Sequence, residues 1–283
     1  MIRWMLLLML LPFSPESQGQ TDNALLWKIS GSNLAQPSYL FGTIHMICPE
    51  DLQIGDSLKG SVRQTDRLFL ELDMDAPGIM MKTMKQSMLP SGTIRDLMKP
   101  QEYQRLESFM KDSLGMPMFL LNKMKPFTLM SVMYSKFLPC NKPASLEETL
   151  MQMAKKQNKE ILGLETVEDQ LAVFDRIPDT MEIRMLMGLI DDFQGQRDEF
   201  GQMIRAYRQR DLTELGRMIN DSPDIDGFED LLLVNRNRKW IPVMKAEMNR
   251  SACLFAVGAG HLPGTDGVID LLRKEGYTVS PVE

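Results

Sequence analysis

Two apolar, strand-like runs near opposite ends of the chain finish on the same short motif. SYLFGTIH at 38–45 closes on Gly42-Thr-Ile-His45, and CLFAVGAGH at 253–261 closes on Gly258-Ala-Gly-His261. His45 and His261 are the only 2 histidines in the sequence. A short continuous apolar run is the pattern of a strand buried on both faces, as in sheets covered by helices. In open α/β sheets the carboxyl ends of such strands border the crevice where ligands bind. The repeated motif therefore asks for a fold that joins both chain ends in one sheet and sets both histidines along one edge.

The intervening sequence is consistent with that demand. LLWKIS at 25–30 and the turn-rich stretch 31–37 predict a hairpin with the first histidine run. A helix is expected over 54–64, a buried strand at RLFLEL (67–72) and another at KEILGLE (159–165). Residues 76–158 have helical periodicity broken at Pro90, Pro100, Pro117, Pro126, Pro139 and Pro143. Further helices are expected over 167–177, 181–193, 199–209, 212–220 and 228–248, followed by a helix at 268–276 and a last strand at 277–282. The prediction is an α/β (or α+β) single domain, with a central sheet built from both chain ends and a large helical middle. No Ser/Gly/Pro tract separates two halves. At 43% hydrophobic and 25% charged residues over 283 positions, the chain has globular composition, and its 25 methionines are expected to fill gaps in helical cores.

Residues 1–19 carry one basic residue, Arg3, then an apolar run from Trp4 to Phe13 and a polar stretch with small residues, the layout of a cleaved secretory signal. The run is too short to span a bilayer, and no later run is long enough, so no membrane span is expected after cleavage. The expected mature domain is 20–283, exported to the periplasm of a Gram-negative cell or otherwise secreted. A net charge of -6 gives no basic field for phosphates, so nucleic acid is not an expected partner. The 3 cysteines, Cys48, Cys140 and Cys253, can form one disulfide at most and contain no Cys-x-x-Cys pair.

Carboxylates that would join the histidines stand at other strand ends: Glu71 and Asp73 after RLFL, and Glu165 after EILGL. Two-residue periodicity puts Glu71 and Asp73 on one face, with Glu71 in the site and Asp73 supporting it. Glu165 either joins the site or caps the helix that begins near Thr166. Gly42 and Gly258 would let a ligand approach the backbone. Two imidazoles and a carboxylate are the ligand set of an open catalytic metal site. The same groups can also act without metal, as base and acid. Cys48 is expected to be inert or disulfide-bonded rather than a ligand. Gly258-Ala-Gly260 is not a dinucleotide loop, because Pro263 stands where the third glycine belongs.

These paired motifs, with RLFLELD at 67–73, GLETVEDQLAVFD at 163–175, NRNRKW at 235–240 and FAVGAGHLPGTDGVIDLLRKEGYTV at 255–279, resemble the TraB/PrgY/GumN family. The resemblance runs from about Ala24 to Val282, toward the GumN-like bacterial branch related to the TIKI metalloproteases. It implies a fold similar to erythromycin esterases and haem-binding ChaN-type proteins. It also implies metal-dependent cleavage of a peptide, with Mn²⁺, Co²⁺ or Zn²⁺ held by His45, His261 and Glu71. Arg236 would pair with a substrate carboxylate or an oxyanion, Asn237 would help bind substrate, and Glu165 or Asp73 would orient ligands or act as base. Two other readings stay open: a metal-free esterase or amidase, and a non-catalytic module that binds a peptide or haem.

Overall fold

The computed structural model describes residues 23–222 and 227–282. The expected signal segment, 1–19, lies outside them. Six strands form one sheet: β1 (Leu26–Gly31), β2 (Ser38–Thr43), β3 (Arg67–Leu72), β4 (Glu160–Glu165), β5 (Cys253–Gly258) and β6 (Tyr277–Pro281). Their order is β4-β3-β5-β2-β1-β6. β4, β3, β5 and β2 are parallel, whereas β1 runs antiparallel to both β2 and β6. Burial follows position in the sheet: every residue of the central β2 is buried, while β1 alternates toward solvent. The sheet is therefore mixed and built from both chain ends, as the sequence predicts.

Register decides what the parallel strands present at their carboxyl edge. Leu72 is level with Glu165, and Thr43 is level with Gly258. β5, from the end of the chain, inserts between β2 and β3, from its start. Both Gly-x-x-His motifs thereby leave neighbouring strands on one edge. The hairpin joining β1 to β2 turns through Gly31, Ser32 and Asn33, all with positive φ.

Eleven α-helices are present among the described residues. α1 (Asp56–Gln64) begins two residues later than expected, and α2 (Ile79–Gln86) follows β3. α3 (Pro100–Leu114) and α4 (Pro126–Tyr134) each start on a proline, which has no amide hydrogen to lose at a first turn. α5 (Leu146–Lys155), capped by Ser145, precedes β4, and α6 (Val167–Phe174), capped by Thr166, follows it. α7 (Asp179–Asp191), α8 (Phe193–Arg208) and α9 (Leu212–Asn220) lead to a π-helical turn at Asp230–Val234 that runs into α10 (Asn235–Met248). α11 (Val268–Lys274) connects β5 to β6.

Burial separates into two clusters. One surrounds the sheet and includes Trp27, Leu40, Phe255, Trp240 and Met244. The other is helical, formed by Leu106, Met110, Leu129, Met133 and Leu186 from α3, α4 and α7. Phe200 of α8 packs against both. Many methionines do fill these cores, but Met80, Met81 and Met84 of α2 are exposed, contrary to expectation, because α2 buries no residue. Cys48 and Cys140 form a disulfide with a Cα separation of 5.7 Å, and Cys253 is free and buried.

Candidate functional site

At the carboxyl edge of the parallel strands, four side chains from four elements meet around one guanidinium. Arg236 Nη2 donates to Glu71 Oε2 and to Glu165 Oε1, each at 2.6 Å. Its Nε donates to Glu165 at 3.1 Å, and its Nη1 lies 3.2 Å from His261 Nε2. Trp240 Nε1 donates to the other oxygen of Glu165 at 3.2 Å, and the Trp240 ring lies under the guanidinium, 4.9 Å from its carbon. Gln170 of α6 bridges the carboxylates, donating to Glu71 at 3.0 Å and to Glu165 at 3.1 Å. Glu71, Arg236, Asn237 and His261 are all buried. One guanidinium faces two carboxylates, so the cluster carries a net negative charge inside the protein.

Local structure explains how each group arrives. The π-helical turn before α10 widens the backbone just ahead of Arg236, and its Leu232 carbonyl accepts a hydrogen bond from Arg236 Nη1 at 3.2 Å. Asn237, one residue on, bonds the strand-end turn of the second histidine. Its amide donates to the carbonyls of His261 at 3.3 Å and Asp266 at 2.9 Å. Its Oδ1 is therefore the acceptor for His261 Nδ1 at 2.6 Å. That contact fixes the tautomer: Nδ1 carries the hydrogen, and Nε2 presents a lone pair toward Arg236 and Glu71.

Electrostatics separates the two histidines. Burial, reinforced by Arg236 and opposed by Glu71, pushes His261 down to about 3, so it is a neutral imidazole. His45 lies beyond β2 with its side chain 70% exposed, and its Nδ1 bonds Glu147 of α5 at 2.8 Å. That hydrogen bond, with the charge of Glu147 beside it, pushes His45 up to about 9. Thr43 and Ser145 donate to Glu147 at 2.7 and 2.8 Å and hold it in place. Burial alone would raise Glu71. The charges of Arg236 and His45 and the Gly258 amide, 2.8 Å from Oε1, overcome it and hold Glu71 below the ordinary carboxylate range.

Several expected roles change. Asp73 does not support Glu71: β3 ends at Leu72, and the Asp73 carboxylate instead accepts the Asp75 amide at 3.1 Å in its own turn. Gly42 is a packing residue, not an opening for ligand, because a Cβ there would lie 3.1 Å from Ala259 and Leu262. Gly258 serves the site by another route: a Cβ would stand 3.2 Å from Glu71 Oε1, so its absence lets the carboxylate reach the backbone. Glu165 joins the site, and the cap on α6 is Thr166. Asn237 orients His261. Arg236 is engaged with the protein's own carboxylates.

The expected three-ligand metal set is not assembled. Among the described residues, no group of three or more His, Cys, Asp and Glu side chains is arranged to hold a metal ion. His261 Nε2 and Glu71 Oε1 are 3.9 Å apart, but Arg236 holds the other Glu71 oxygen and faces the same nitrogen, while His45 is turned toward Glu147. The donor chemistry nevertheless suits a cation. Each histidine has Nδ1 held by an oxygen acceptor, the outer-shell arrangement that presents Nε2 to a metal, and the buried charge is negative.

Sequence reasoning missed Glu147, Gln170 and Trp240. Gln170 lies in the first turns of the helix after Glu165, a position from which its side chain returns to the strand end; Glu147 follows the capping Ser145. Either signal is weak without the fold.

A mixed α/β chain with a buried histidine–carboxylate–arginine cluster at its strand edge is what the fold and site define. The model of the TraB/PrgY/gumN family matches residues 25–281, and the chain belongs to that family. Among curated relatives, it is 25% identical to "Metalloprotease TIKI2" of Danio rerio over 313 residues, 91% of this chain and 60% of that protein. It is 24% identical to "Metalloprotease TIKI1" of the same fish, over 98% of this chain and 68% of the relative. It is 22% identical to "Uncharacterized protein YbaP" of Shigella flexneri, over 83% and 88%. The chain thus spans about 60% of the length of the first of these relatives. No solved structure matches.

Proposed function

We propose that this protein is an exported, metal-dependent hydrolase that cleaves a peptide bond at the carboxyl edge of the sheet. The observation that carries the reading is that the two motif histidines leave neighbouring strands on one edge of the sheet, each with Nδ1 bonded to a side-chain oxygen. His45, His261 and Glu71 would hold a divalent ion, Mn²⁺, Co²⁺ or Zn²⁺, which when bound activates water and polarises the carbonyl. Asn237 and Glu147 keep the imidazoles in the ligating orientation. Arg236, released from Glu71, keeps its contact with Glu165 and can stabilise a developing oxyanion. Glu165 then accepts from Arg236, Trp240 and Gln170 and steadies all three. The relatives' names, metalloproteases, support both the metal and the peptide.

Export is supported by the Cys48–Cys140 disulfide, since such bonds persist in oxidising compartments. No helix among the described residues is long and apolar enough to cross a membrane.

A second reading uses the same residues without metal. Its support is the contact of Arg236 with both Glu71 and His261, beside a neutral His261 and a charged His45 that would serve as base and acid. Hydrolysis of a peptide library before and after chelation separates the two. The metal reading expects activity to vanish with the chelator, return with added ion, and be absent in His261→Ala. Full activity in chelator overturns it in favour of the second reading. Full activity in His261→Ala overturns the site itself.

A further inference from the structure

Beside His45 an open cavity of about 570 Å³ lies between the sheet core and the helical core, within the size range of small-ligand pockets. His45 forms part of its lining, with Ile44 and Met46 on either side in sequence. The facing walls are helical: Phe127 from α4, Phe200 and Met203 from α8, and Met218 from α9. All these apolar side chains are half-buried, so they expose surface to the cavity instead of closing it. The walls are firmly backed. Leu129, Met130 and Met133 of α4 are buried in the helical cluster, and Phe200 packs against both cores.

We infer that this cavity is the specificity pocket of the site, and that it receives a large apolar side chain of the peptide, next to the bond that is cleaved. The inference rests on the hydrolase reading above and adds the substrate class. Two observations carry it. The cavity adjoins a motif histidine, so an occupant is placed beside the reacting groups. Its lining is dominated by methionine and phenylalanine, which adapt to varied apolar shapes.

The test uses the full chain and capped tripeptides that differ only in the central residue: acetyl-Gly-Phe-Gly amide, its tryptophan analogue and its aspartate analogue. Titration calorimetry is expected to show the phenylalanine peptide binding at least about tenfold more tightly than the aspartate peptide. Met203→Glu should abolish that preference, and Met218→Ala, by enlarging the cavity, should move the preference toward tryptophan. Circular dichroism checks that both variants fold; if Met203→Glu does not, the Met218→Ala ranking decides. Equal binding of the phenylalanine and aspartate peptides, no binding of either, or an unchanged ranking in the folded variants overturns the pocket. A parallel digest of mixed peptides keeps the two claims apart. Cleavage indifferent to apolar residues overturns the pocket and leaves the hydrolase. Selective binding with no cleavage of any peptide overturns the hydrolase and leaves the pocket.

Discussion

Burial keeps His261 neutral, and Asn237 sets its tautomer: the amide group is anchored to two carbonyls, so only its oxygen can meet Nδ1. Asn237→Ala removes that constraint while leaving the ring in place. Nitrogen NMR should then show His261 shifting from the Nδ1-protonated form toward a mixture, and turnover should fall about 10–100-fold. An unchanged tautomer would mean that other contacts fix the ring. Glu71 supplies a second prediction. Its folded value lies below its ordinary 4.5, so the stability it contributes is complete above the ordinary value. That contribution drains away as pH falls below about 4.5. Urea unfolding between pH 6 and 2 should show the loss, and Glu71→Gln should flatten that part of the profile. At this scale the sequence exposed His45, His261, Glu71 and Glu165 because each ends or follows a strand run. Arg236 was legible through the family resemblance. Glu147 and Gln170 were not, since a helical glutamate or glutamine has no signature until the fold shows what it faces.

Among the elements, the loop after β2 is tied down twice to the segment before α5. Ile47 and Ala144 pair backbone to backbone, and Cys48 bonds Cys140 across 92 residues of sequence. The tie brings His45 and Glu147 to hydrogen-bonding distance. Cys140→Ser should lower stability by about 2–5 kcal/mol in denaturant titration and release His45 from Glu147, seen as a fall in the His45 titration midpoint. An unchanged midpoint would show that the backbone pairing suffices. In the helical core, Glu182 of α7 is buried and accepts the Phe127 amide at the start of α4; desolvation, with Asp179 adding to it, pushes Glu182 up to about 7. The sign is opposite to that of Glu71. Stability is greatest below the ordinary carboxylate range and declines as pH rises through about 7. Glu182→Gln should be more stable than the parent at pH 8 by about 2–3 kcal/mol and show no advantage at pH 4. The strands were legible because apolar runs are short and bounded. Helix boundaries were less so: α8 begins at Phe193, six residues before its expected start, since its first turn, capped by Asp192, has almost no apolar pattern.

At the level of the molecule, the sheet and its edge follow from the sequence, whereas the division into two cores does not. Helices of both clusters bury leucines and methionines, and only tertiary packing sorts α3, α4 and α7 into their own layer. The cavity beside His45 exists because those layers meet there, so it has no local signal either. The site is different, because strand order alone delivers the two motifs to one edge. In the reading proposed above, both histidines and Glu71 form one divalent-metal centre when metal is bound. The direct measurement is elemental analysis of the untagged protein after reconstitution with Mn²⁺, Co²⁺ or Zn²⁺, alongside His45→Ala, His261→Ala and Glu71→Ala. Near-stoichiometric metal is expected in the parent, with its loss from all three folded variants. No bound metal in the parent, or retention in the variants, would contradict it.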